Sequence, residues 1–391
     1  MRALRIGLPA LAVFAATGCG NPCKDPGTVC TIAGTGSPGA NEAEDDPLLS
    51  PLYGPMDVVA RPGTSDFFIV DWNNHKIRLV EDGVMRTVVG TDFLGDGDPT
   101  FQERIPPGVP GTEVALNHPT QAEWSSVTGK LLIPSWHNHR VREWTPETGN
   151  SLVVCANTDV SDGNGANAGF AGDGGPAEDA LFAFPNSIAV DPTDGSFWLL
   201  DQRNDRIRKV AVDYSFIDTV AGNGDEGYGG DGGPALEASF NFWERSDLQP
   251  EPAGAIEFDG DHTLYIADTS NHAIRVFDLG AGTVDTLSGT GTQSLPGGVC
   301  DPDTLCYPRD VELGPDGRLY IADTDNHVIR AYDPGSGTME VVAGTFEPGD
   351  AEEGTLATEA TLNEPFGIDF DDEGALLIAD TYNHRVRRVT P

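Results

Sequence analysis

One eleven-residue pattern returns six times along this chain, and it constrains the fold more than any other feature. At Tyr320–Arg330 it reads Tyr-Ile-Ala-Asp-Thr-Asp-Asn-His-Val-Ile-Arg. The other copies, three of them looser, are Phe68–Arg78, Leu132–Arg142, Leu199–Arg208, Tyr265–Arg275 and Leu377–Arg387. Neighbouring copies lie 55 to 67 residues apart. A period of this length indicates repeated supersecondary units rather than one irregular core.

Two charged positions recur within the pattern. The acidic position is Asp71, Asp201, Asp268, Asp323 and Asp380, with Ser135 in the remaining copy. Seven residues later there is always an arginine: Arg78, Arg142, Arg208, Arg275, Arg330 and Arg387. Because both recur in nearly every unit, we expect them to serve the unit itself, with each arginine bonding carboxylates or carbonyls within or between units.

Each copy reads as a hairpin of two apolar strands joined by a turn rich in Asp, Thr and Asn. A Pro-x-x-apolar run upstream and a Val-Ala-Gly-Thr-like run downstream add two more strands. Four strands per unit is the composition of a propeller blade. The last unit stops at Pro391 without its fourth strand, whereas a spare one stands at 31–35. We therefore predict an all-β, six-bladed β-propeller of four-stranded antiparallel blades, closed by the N-terminal strand pairing into the last blade.

The turn within the pattern resembles the NHL-repeat family, which is named after an Asn-His-Leu-like tripeptide. The tripeptide's histidine is His75, His139, His272, His327 and His384, while the third copy has Asn-Asp-Arg at 204–206. The resemblance covers residues from about 29 to the end and implies the propeller fold. Relatives include enzymes, RNA binders, adhesion modules and sensors, so function has to come from sites. A catalytic site is single, so five equivalent histidines indicate a structural role in ordering the turn.

The N-terminus has the pattern of an export signal. A positive start with Arg2 and Arg5 is followed by an apolar stretch and by small residues before Cys19. This predicts a signal peptide over 1–18, a short tether over 19–28 and the propeller over 29–391. The run before Cys19 resembles a bacterial lipoprotein box, which makes Cys19 the lipid attachment site; an ordinary secretory signal is the alternative. We expect a protein of the bacterial cell envelope that touches the membrane only through this lipid.

Export also predicts disulfides, because an oxidising compartment preserves them. Cys300 and Cys306 flank a turn-prone segment, and Cys23 and Cys30 have similar spacing. Cys155 stands where other units have a small residue, so we expect a buried, inert thiol. None of the spacings matches a zinc ribbon.

The charge balance is strongly acidic, with 62 Asp and Glu against 23 Lys and Arg and a net charge of −39. Such a surface repels phosphate backbones, which excludes nucleic acid as a partner. The acidity is spread along the chain, which favours solubility over capture of a cation or a basic ligand. We expect a monomer.

Long insertions link the fourth strand of one unit to the first of the next, at about 92–117, 157–184 and 222–252. In a propeller these connections and the Asp-to-His turns share one face, which we name the loop face. It is where we expect a protein, peptide or glycan to bind, with aromatic residues such as Phe170 and Trp243 contributing.

Two enzyme hypotheses are open to a test on the sequence. A zinc-dependent lyase of NHL-like fold needs histidines just after the proline of the innermost strands, and none stands there. A calcium-dependent lactonase or esterase needs oxygen ligands in the central channel, for which the innermost strands offer Asp57, Glu123, Asn186, Asp310, Glu312 and Asp369. No Ser-His-Asp set or phosphate-binding glycine loop is visible. We therefore expect a binding module without a cofactor, with a calcium-dependent hydrolase as the alternative.

Overall fold

The computed structural model describes residues 24–40, 45–98, 102–156, 168–242, 252–289, 291 and 300–391. The predicted signal peptide, Cys19 and Cys23, and Trp243 lie outside these residues. Within them the chain forms six antiparallel sheets. The innermost strand of each sheet contacts the innermost strands of the sheets on both sides, so the six sheets form a closed ring around one central channel. The prediction of a six-bladed all-β propeller is confirmed.

In every blade the four predicted strands follow one another from the channel outwards, and in three blades a two-residue strand that comes earlier in the chain lies at the outer edge. After β1 (Thr28–Ala33), blade 1 has β2 (Pro55–Ala60), β3 (Phe67–Asp71), β4 (Lys76–Glu81) and β5 (Val84–Val89). Blade 2 has β6 (Val109–Pro110), β7 (Glu123–Ser125), β8 (Lys130–Ser135), β9 (Arg140–Thr145) and β10 (Asn150–Cys155). Blade 3 has β11 (Pro185–Val190), β12 (Phe197–Asp201), β13 (Arg206–Val210) and β14 (Ile217–Ala221).

The second half of the ring repeats this order. Blade 4 has β15 (Gly233–Pro234), β16 (Ala255–Phe258), β17 (Thr263–Asp268), β18 (Ala273–Asp278) and β19 (Thr283–Gly289). Blade 5 has β20 (Pro308–Leu313), β21 (Leu319–Asp323), β22 (Val328–Asp333) and β23 (Thr338–Gly344). Blade 6 has β24 (Thr355–Leu356), β25 (Pro365–Phe370), β26 (Leu376–Asp380) and β27 (Arg385–Val389).

The N-terminal strand closes the ring. β1 pairs antiparallel with β27, with Val29 opposite Val389 and Cys30 opposite Arg388. It therefore supplies the outermost long strand of blade 6, as predicted, although it begins at Thr28. Bonding to the last blade starts earlier still, because the Asp25 carbonyl accepts from the Thr390 hydroxyl and the Gly27 N–H donates to Thr390 O.

Three insertions add a fifth, two-residue strand that the sequence pattern did not predict. β6 pairs with β10, β15 with β19, and β24 with β1. Each covers the outer edge of the blade that follows it in the chain. Covering an edge strand removes a row of unpaired backbone groups that would otherwise invite aggregation.

The hydrophobic core lies between blades rather than in one centre. One cluster joins Phe68 of blade 1 to Trp144 of blade 2, and another joins Trp198 of blade 3 to Phe258 of blade 4. Four more clusters fill the remaining blade boundaries. Because each sheet buries both faces against neighbours, its strands read as apolar runs. In the described part of the chain, no helix is long and apolar enough to cross a membrane.

Candidate binding face and central channel

The turn of each repeat is a short 3₁₀ segment followed by a left-handed residue. The turns are Trp72–Asn74, Trp136–Asn138, Gln202–Asn204, Thr269–Asn271, Thr324–Asn326 and Thr381–Asn383. The next residue is the recurring histidine, or Asp205 in blade 3, with φ between 46° and 57°. Asn, Asp and His tolerate this region better than other non-glycine residues. A Cβ on Gly289, which ends β19, would lie 2.3 Å from the carbonyl oxygen of His272, so the strand can pass the turn only as glycine.

The recurring aspartate organises the turn from inside. In blade 4 the Asp268 carboxylate accepts from the N–H of Asn241 at 2.8 Å, from Asn271 Nδ2 at 2.9 Å and from Arg275 Nη1 at 3.1 Å. Burial raises the pKa of Asp268 to about 6, with the hydrogen bonds and Arg275 opposing that rise, so it is ionised at pH 7. The same acceptor arrangement recurs at Asp71, Asp201, Asp323 and Asp380.

Several of the arginines bond a second carboxylate that comes from an insertion. Arg275 reaches Asp231 at 2.7 Å, Arg208 reaches Asp173, and Arg387 reaches Asp350. Asp173 and Asp231 belong to the two near-identical Gly-Asp-Gly-Gly-Pro insertions. The guanidinium groups are therefore buried between a turn carboxylate and a loop carboxylate, which ties each of these insertions to its blade.

Blade 2 lacks the aspartate, and another chain segment supplies the carboxylate. Ser135 stands in its place, while Glu103 from the preceding insertion contacts both Arg142 and Arg140. Burial alone would raise the pKa of Glu103, but the two guanidinium groups reverse this and lower its pKa. The sequence offered no signal for this substitution, because the insertion has no periodicity.

The recurring histidines connect neighbouring blades. His75 Nδ1 accepts the backbone N–H of His118 at 3.2 Å, and His384 Nδ1 accepts that of Gly54 at 3.1 Å. The remaining pairs are His139 with Phe184, His272 with Tyr307, His327 with Glu364, and Asp205, in the histidine position, with Phe242. Each donor precedes the innermost strand of the next blade. These bonds join the turns to the insertions, so both lie on one face, the loop face.

Exposed aromatic side chains concentrate on the loop face. Of those in the described residues, Tyr53, Phe93, Phe170, Tyr228 and Tyr382 lie there and Phe216 lies at a hairpin on the opposite face. Phe170 and Tyr228 directly follow a glycine whose carbonyl accepts a turn asparagine, and Phe93 lies two residues before a third such glycine. Phe93 is 77% exposed and Tyr382 is 50% exposed.

The central channel narrows at the loop face and widens at the opposite face. The loop-face end has a volume of about 30 Å³ and is lined by residues such as Asn186, Arg309 and Phe366. The other end has a volume of about 160 Å³ and is lined by carboxylates. A groove of about 590 Å³ lies outside the channel, between blades 1 and 6 on the opposite face, where Arg388 is paired with Asp371 and Glu373.

Three channel carboxylates bond the innermost strand of the next blade. Asp57 accepts from the Ala122 N–H at 3.0 Å, Asp310 from Ile368 at 2.8 Å, and Asp369 from Ala60 at 2.7 Å. Gln121 and Ser187 play the same part for blades 2 and 3. These side chains therefore form a ring of bonds between blades, which accounts for much of the polarity of the innermost strands.

Glu123, Glu257 and Glu312 face the wider end of the channel and are half-buried. Burial, together with the other channel carboxylates, raises the pKa of Glu123 and of Glu312 well above the ordinary value, and that of Glu257 to about 8. Sequence reasoning missed Glu257. Its strand begins at Ala255, beyond the proline of that blade, and only the pairing of Glu257 with Tyr265 shows that it occupies the same level as Glu123.

The predicted calcium ligands do not converge on one point. In the described part of the chain, no three channel carboxylates bring oxygens within 4.8 Å of one another. Asn186 lies at the loop-face end, where its Nδ2 donates to the Ala253 and Gly254 carbonyls. Calcium takes six to eight oxygens at 2.3–2.6 Å, so these residues as they stand do not fit a calcium site.

One of the two predicted disulfides lies wholly within the described residues. Cys300 and Cys306 form a disulfide. Cys30 is also disulfide-bonded, and the predicted partner Cys23 lies outside the described residues. Cys155 is a free, buried thiol whose pKa burial raises. Asp325 lies beside the 300–306 bridge, but sulfurs held in a disulfide are not thiolate ligands.

Comparisons with known proteins agree with this architecture. The model of the "NHL repeat" family matches residues 305–332 and 362–389. NHL repeat-containing protein 2 of Bos taurus is 24% identical over 320 residues, which cover 74% of this chain and 40% of that protein. Protein SUPPRESSOR OF QUENCHING 1, chloroplastic, of Arabidopsis thaliana is 28% identical over 229 residues, covering 56% of this chain and 21% of that protein. The chain thus spans less than half the length of either relative.

A solved structure with the same fold is described as an auxiliary nutrient binding protein from Bacteroides thetaiotaomicron. Its TM-score is 0.61 with 16% sequence identity, covering 92% of this chain and 75% of that one. At this identity the likeness shows the fold alone.

Proposed function

This chain is an NHL-repeat six-bladed β-propeller, and from that premise we propose that it is an exported, lipid-anchored binding module that holds a protein, peptide or glycan ligand on its loop face. The observation that carries the proposal is the concentration of exposed aromatic side chains on that face. Five of the six exposed aromatics in the described residues lie there. Aromatic side chains provide large, rigid contact area at low entropic cost, and they are enriched where proteins bind each other.

The dimensions of the channel favour binding across the face rather than inside the ring. Sites for small molecules have volumes of roughly 300–1,000 Å³. The channel has about 30 Å³ at the loop face and about 160 Å³ at its other end. A ligand that rests on several insertions at once needs no deep cavity.

Export is supported by the disulfide chemistry. The Cys300–Cys306 bond closes a segment beside the loop face, where Cys306 donates its N–H to Asp323. Disulfides persist in oxidising compartments and are rare in the cytosol. Lipidation of Cys19 remains the proposed anchor, and mass spectrometry of the mature protein from a bacterial host tests it. A diacylglyceryl adduct on Cys19 supports the anchor, whereas cleavage without lipid contradicts it.

A screen of the full chain on glycan and peptide arrays tests the binding role. The loop-face variant replaces Phe93 and Tyr382 with Ser, and the matched control replaces Phe216, on the opposite face, with Ser. We expect a ligand class that the wild type and the control retain equally and that the loop-face variant loses by at least about tenfold. Equal loss in both variants, or retention in both, contradicts the proposal.

A calcium-dependent hydrolase is the second candidate because carboxylates crowd the wider end of the channel, although their oxygens would have to move closer together to bind the ion. Burial raises their pKa values, Coulombic repulsion among them adds to that rise, and added positive charge would relieve the repulsion. The residues available are Asp57, Glu123, Glu257, Asp310, Glu312 and Asp369, without Asn186. Elemental analysis before and after dialysis against a chelator decides: one tightly held calcium, lost in the Asp310→Asn variant, favours the hydrolase, and its absence removes it.

A further inference from the structure

Two histidines that do not belong to the recurring set meet on the loop face between blades 1 and 2. His118 precedes the innermost strand of blade 2, and His137 lies in the turn of the same blade. Their Nδ1 atoms are 3.0 Å apart. Asn117 Oδ1 lies 2.8 Å from His118 Nδ1. His118 Nδ1 therefore lies within 3.0 Å of two other possible ligand atoms, and all three side chains are half-buried rather than enclosed.

No placement of the protons gives both of these contacts a full hydrogen bond of its own. If His118 Nδ1 carries the proton, a single N–H has to be shared between Asn117 Oδ1 and His137 Nδ1. If His118 Nδ1 carries the lone pair, Asn117 has to turn its amide so that Nδ2 faces it, and this N–H and that of His137 Nδ1 then share a single lone pair. A cation in place of the shared proton would be attracted to all three atoms.

The spacing matches the coordination angle of particular metals. An ion about 2.1 Å from each Nδ1 would make an angle of roughly 90° at the metal, since the nitrogens are 3.0 Å apart. That angle belongs to square-planar and tetragonal geometry with nitrogen and oxygen ligands, which copper(II) and nickel(II) prefer, whereas tetrahedral zinc needs about 109°.

Neighbouring side chains hold the two histidine rings in place. The His118 N–H donates to His75 Nδ1, and the rings of His75 and Trp72 lie 4.5 and 4.9 Å from that of His118. Trp136 packs against His137 at 4.3 Å.

Blades 3 and 5 have the two equivalent backbone positions, but other side chains stand there. Where blade 2 has His118 and His137, blade 3 has Phe184 and Arg203, and blade 5 has Tyr307 and Asp325. Phe184 and Tyr307 donate their N–H to the preceding turn histidine just as His118 does. The blade geometry therefore needs neither imidazole, which separates this pair from the recurring histidines.

We propose that Asn117, His118 and His137 form a site for a divalent transition metal ion, copper(II) or nickel(II), that leaves coordination positions open towards the loop face. The site is independent of the binding proposal above, because it needs no macromolecular ligand. Copper(II) is expected to bind more tightly than nickel(II), following the general order of affinities for divalent metals.

Titration of the full chain, purified without a histidine tag, with copper(II), nickel(II), zinc(II) and calcium(II) salts tests the site. His118→Phe copies blade 3, and His137→Ser copies Ser270 of blade 4, so both substitutions suit the backbone. His262→Ala, at an exposed hairpin on the opposite face, is the control. We expect one equivalent of copper(II) in the wild type and in the control, and at least about a tenfold loss of affinity in each of the two site variants.

Electron paramagnetic resonance of the copper(II) form provides a readout that does not depend on the variants. Splitting from two imidazole nitrogens in the wild type supports the site, and splitting from one nitrogen or none overturns it. Equal copper affinity in the wild type, His118→Phe and His137→Ser overturns it as well. So does zinc(II) binding more tightly than copper(II).

Discussion

Two sets of carboxylates inside this propeller have opposite electrostatic surroundings. The turn carboxylates, Asp268 among them, each face an arginine at the outer part of a blade. The channel carboxylates, such as Asp310 and Glu257, have no ion pair among the contacts of the described residues, and they meet one another across the channel. Burial raises the pKa in both sets, but guanidinium groups oppose the rise in the first and neighbouring carboxylates increase it in the second. The first set therefore holds its charge within the fold, and the second shares protons near neutral pH.

The largest loss of folding stability should come from removing Glu103, whose carboxylate pairs with two buried arginines. Glu103→Ala leaves Arg140 and Arg142 buried with one carboxylate fewer, and loss of one partner of a buried pair costs about 3–5 kcal/mol. Urea unfolding of the full chain measures it. Glu113→Ala, an exposed residue of the same insertion, is the matched control. Equal stability of the two variants would show that the arginines are held by other groups.

Removing one turn carboxylate should cost less, because a second acceptor remains. Asp268→Asn keeps the size of the side chain but weakens the bond to Arg275, which retains Asp231. Hydrogen bonds to charged groups contribute about 1.5–3 kcal/mol, so we expect a loss of about 2 kcal/mol. Asp285→Asn, on an exposed position of the same blade, controls for the change of net charge. A loss below that of the control would contradict a structural role for Asp268.

Because of the channel carboxylates, the free energy of unfolding should decrease as the pH rises. Glu257 has a folded pKa of about 8, above the value of about 4.3 in an unfolded chain, so the folded state binds more protons between these two values. Its contribution to stability is therefore lost as the pH rises from about 4.3 through 8, and the loss levels off above about pH 9. From pH 7.5 to 9 this group alone should cost about 1 kcal/mol. The buried histidines act in the opposite direction, but their contribution is complete above about pH 7, since unfolded histidine titrates near 6.5.

Glu257→Gln should flatten the fall in stability between pH 7.5 and 9, and Glu237→Gln, which is exposed, should leave it unchanged. Thermal unfolding at several pH values checks both. If the wild type is equally stable at pH 7.5 and 9, the channel carboxylates do not share protons in that range.

The smallest effect should come from exchanging one turn histidine for aspartate. His384→Asp keeps an acceptor for the Gly54 N–H, as Asp205 does for Phe242 in blade 3, so stability should change by less than about 1 kcal/mol. His384→Leu removes the acceptor and should cost about 1–3 kcal/mol. If both variants lose the same amount, the imidazole contributes through packing and not through this bond.

The fold was predictable because every blade repeats the same local chemistry. Strand alternation, the left-handed turn and the spare strand at the N-terminus each point to one architecture, and the turn at Tyr320–Arg330 already contains its own hydrogen-bond network. The insertions were less predictable because they have no period. Glu103 supplies the carboxylate that Ser135 cannot, and β15 extends blade 4. Both depend on contacts between residues about 40 to 50 positions apart in the chain.

The channel was only partly predictable for a related reason. Asp57, Asp310 and Asp369 were recognised, but the pattern could not show that their oxygens bond the next blade's backbone. Glu257 was missed because the register of its strand is shifted relative to the proline. Asn186 was grouped with the channel carboxylates, but its side chain points away from them, towards the carbonyls of Ala253 and Gly254. Which side chains share a level of the ring depends on strand pairing, and proline positions alone do not reveal it.

The division between paired and unpaired buried carboxylates is tested most directly by carboxyl-detected nuclear magnetic resonance during a pH titration of the full chain. We predict that at least one carboxyl group titrates between pH 7 and 9 and that this signal is absent in Glu257→Gln. We also predict that Asp268 titrates below pH 7. If every carboxyl group of the wild type titrated below pH 6, the channel set would be ionised like any surface acid, which would contradict the division between the two sets.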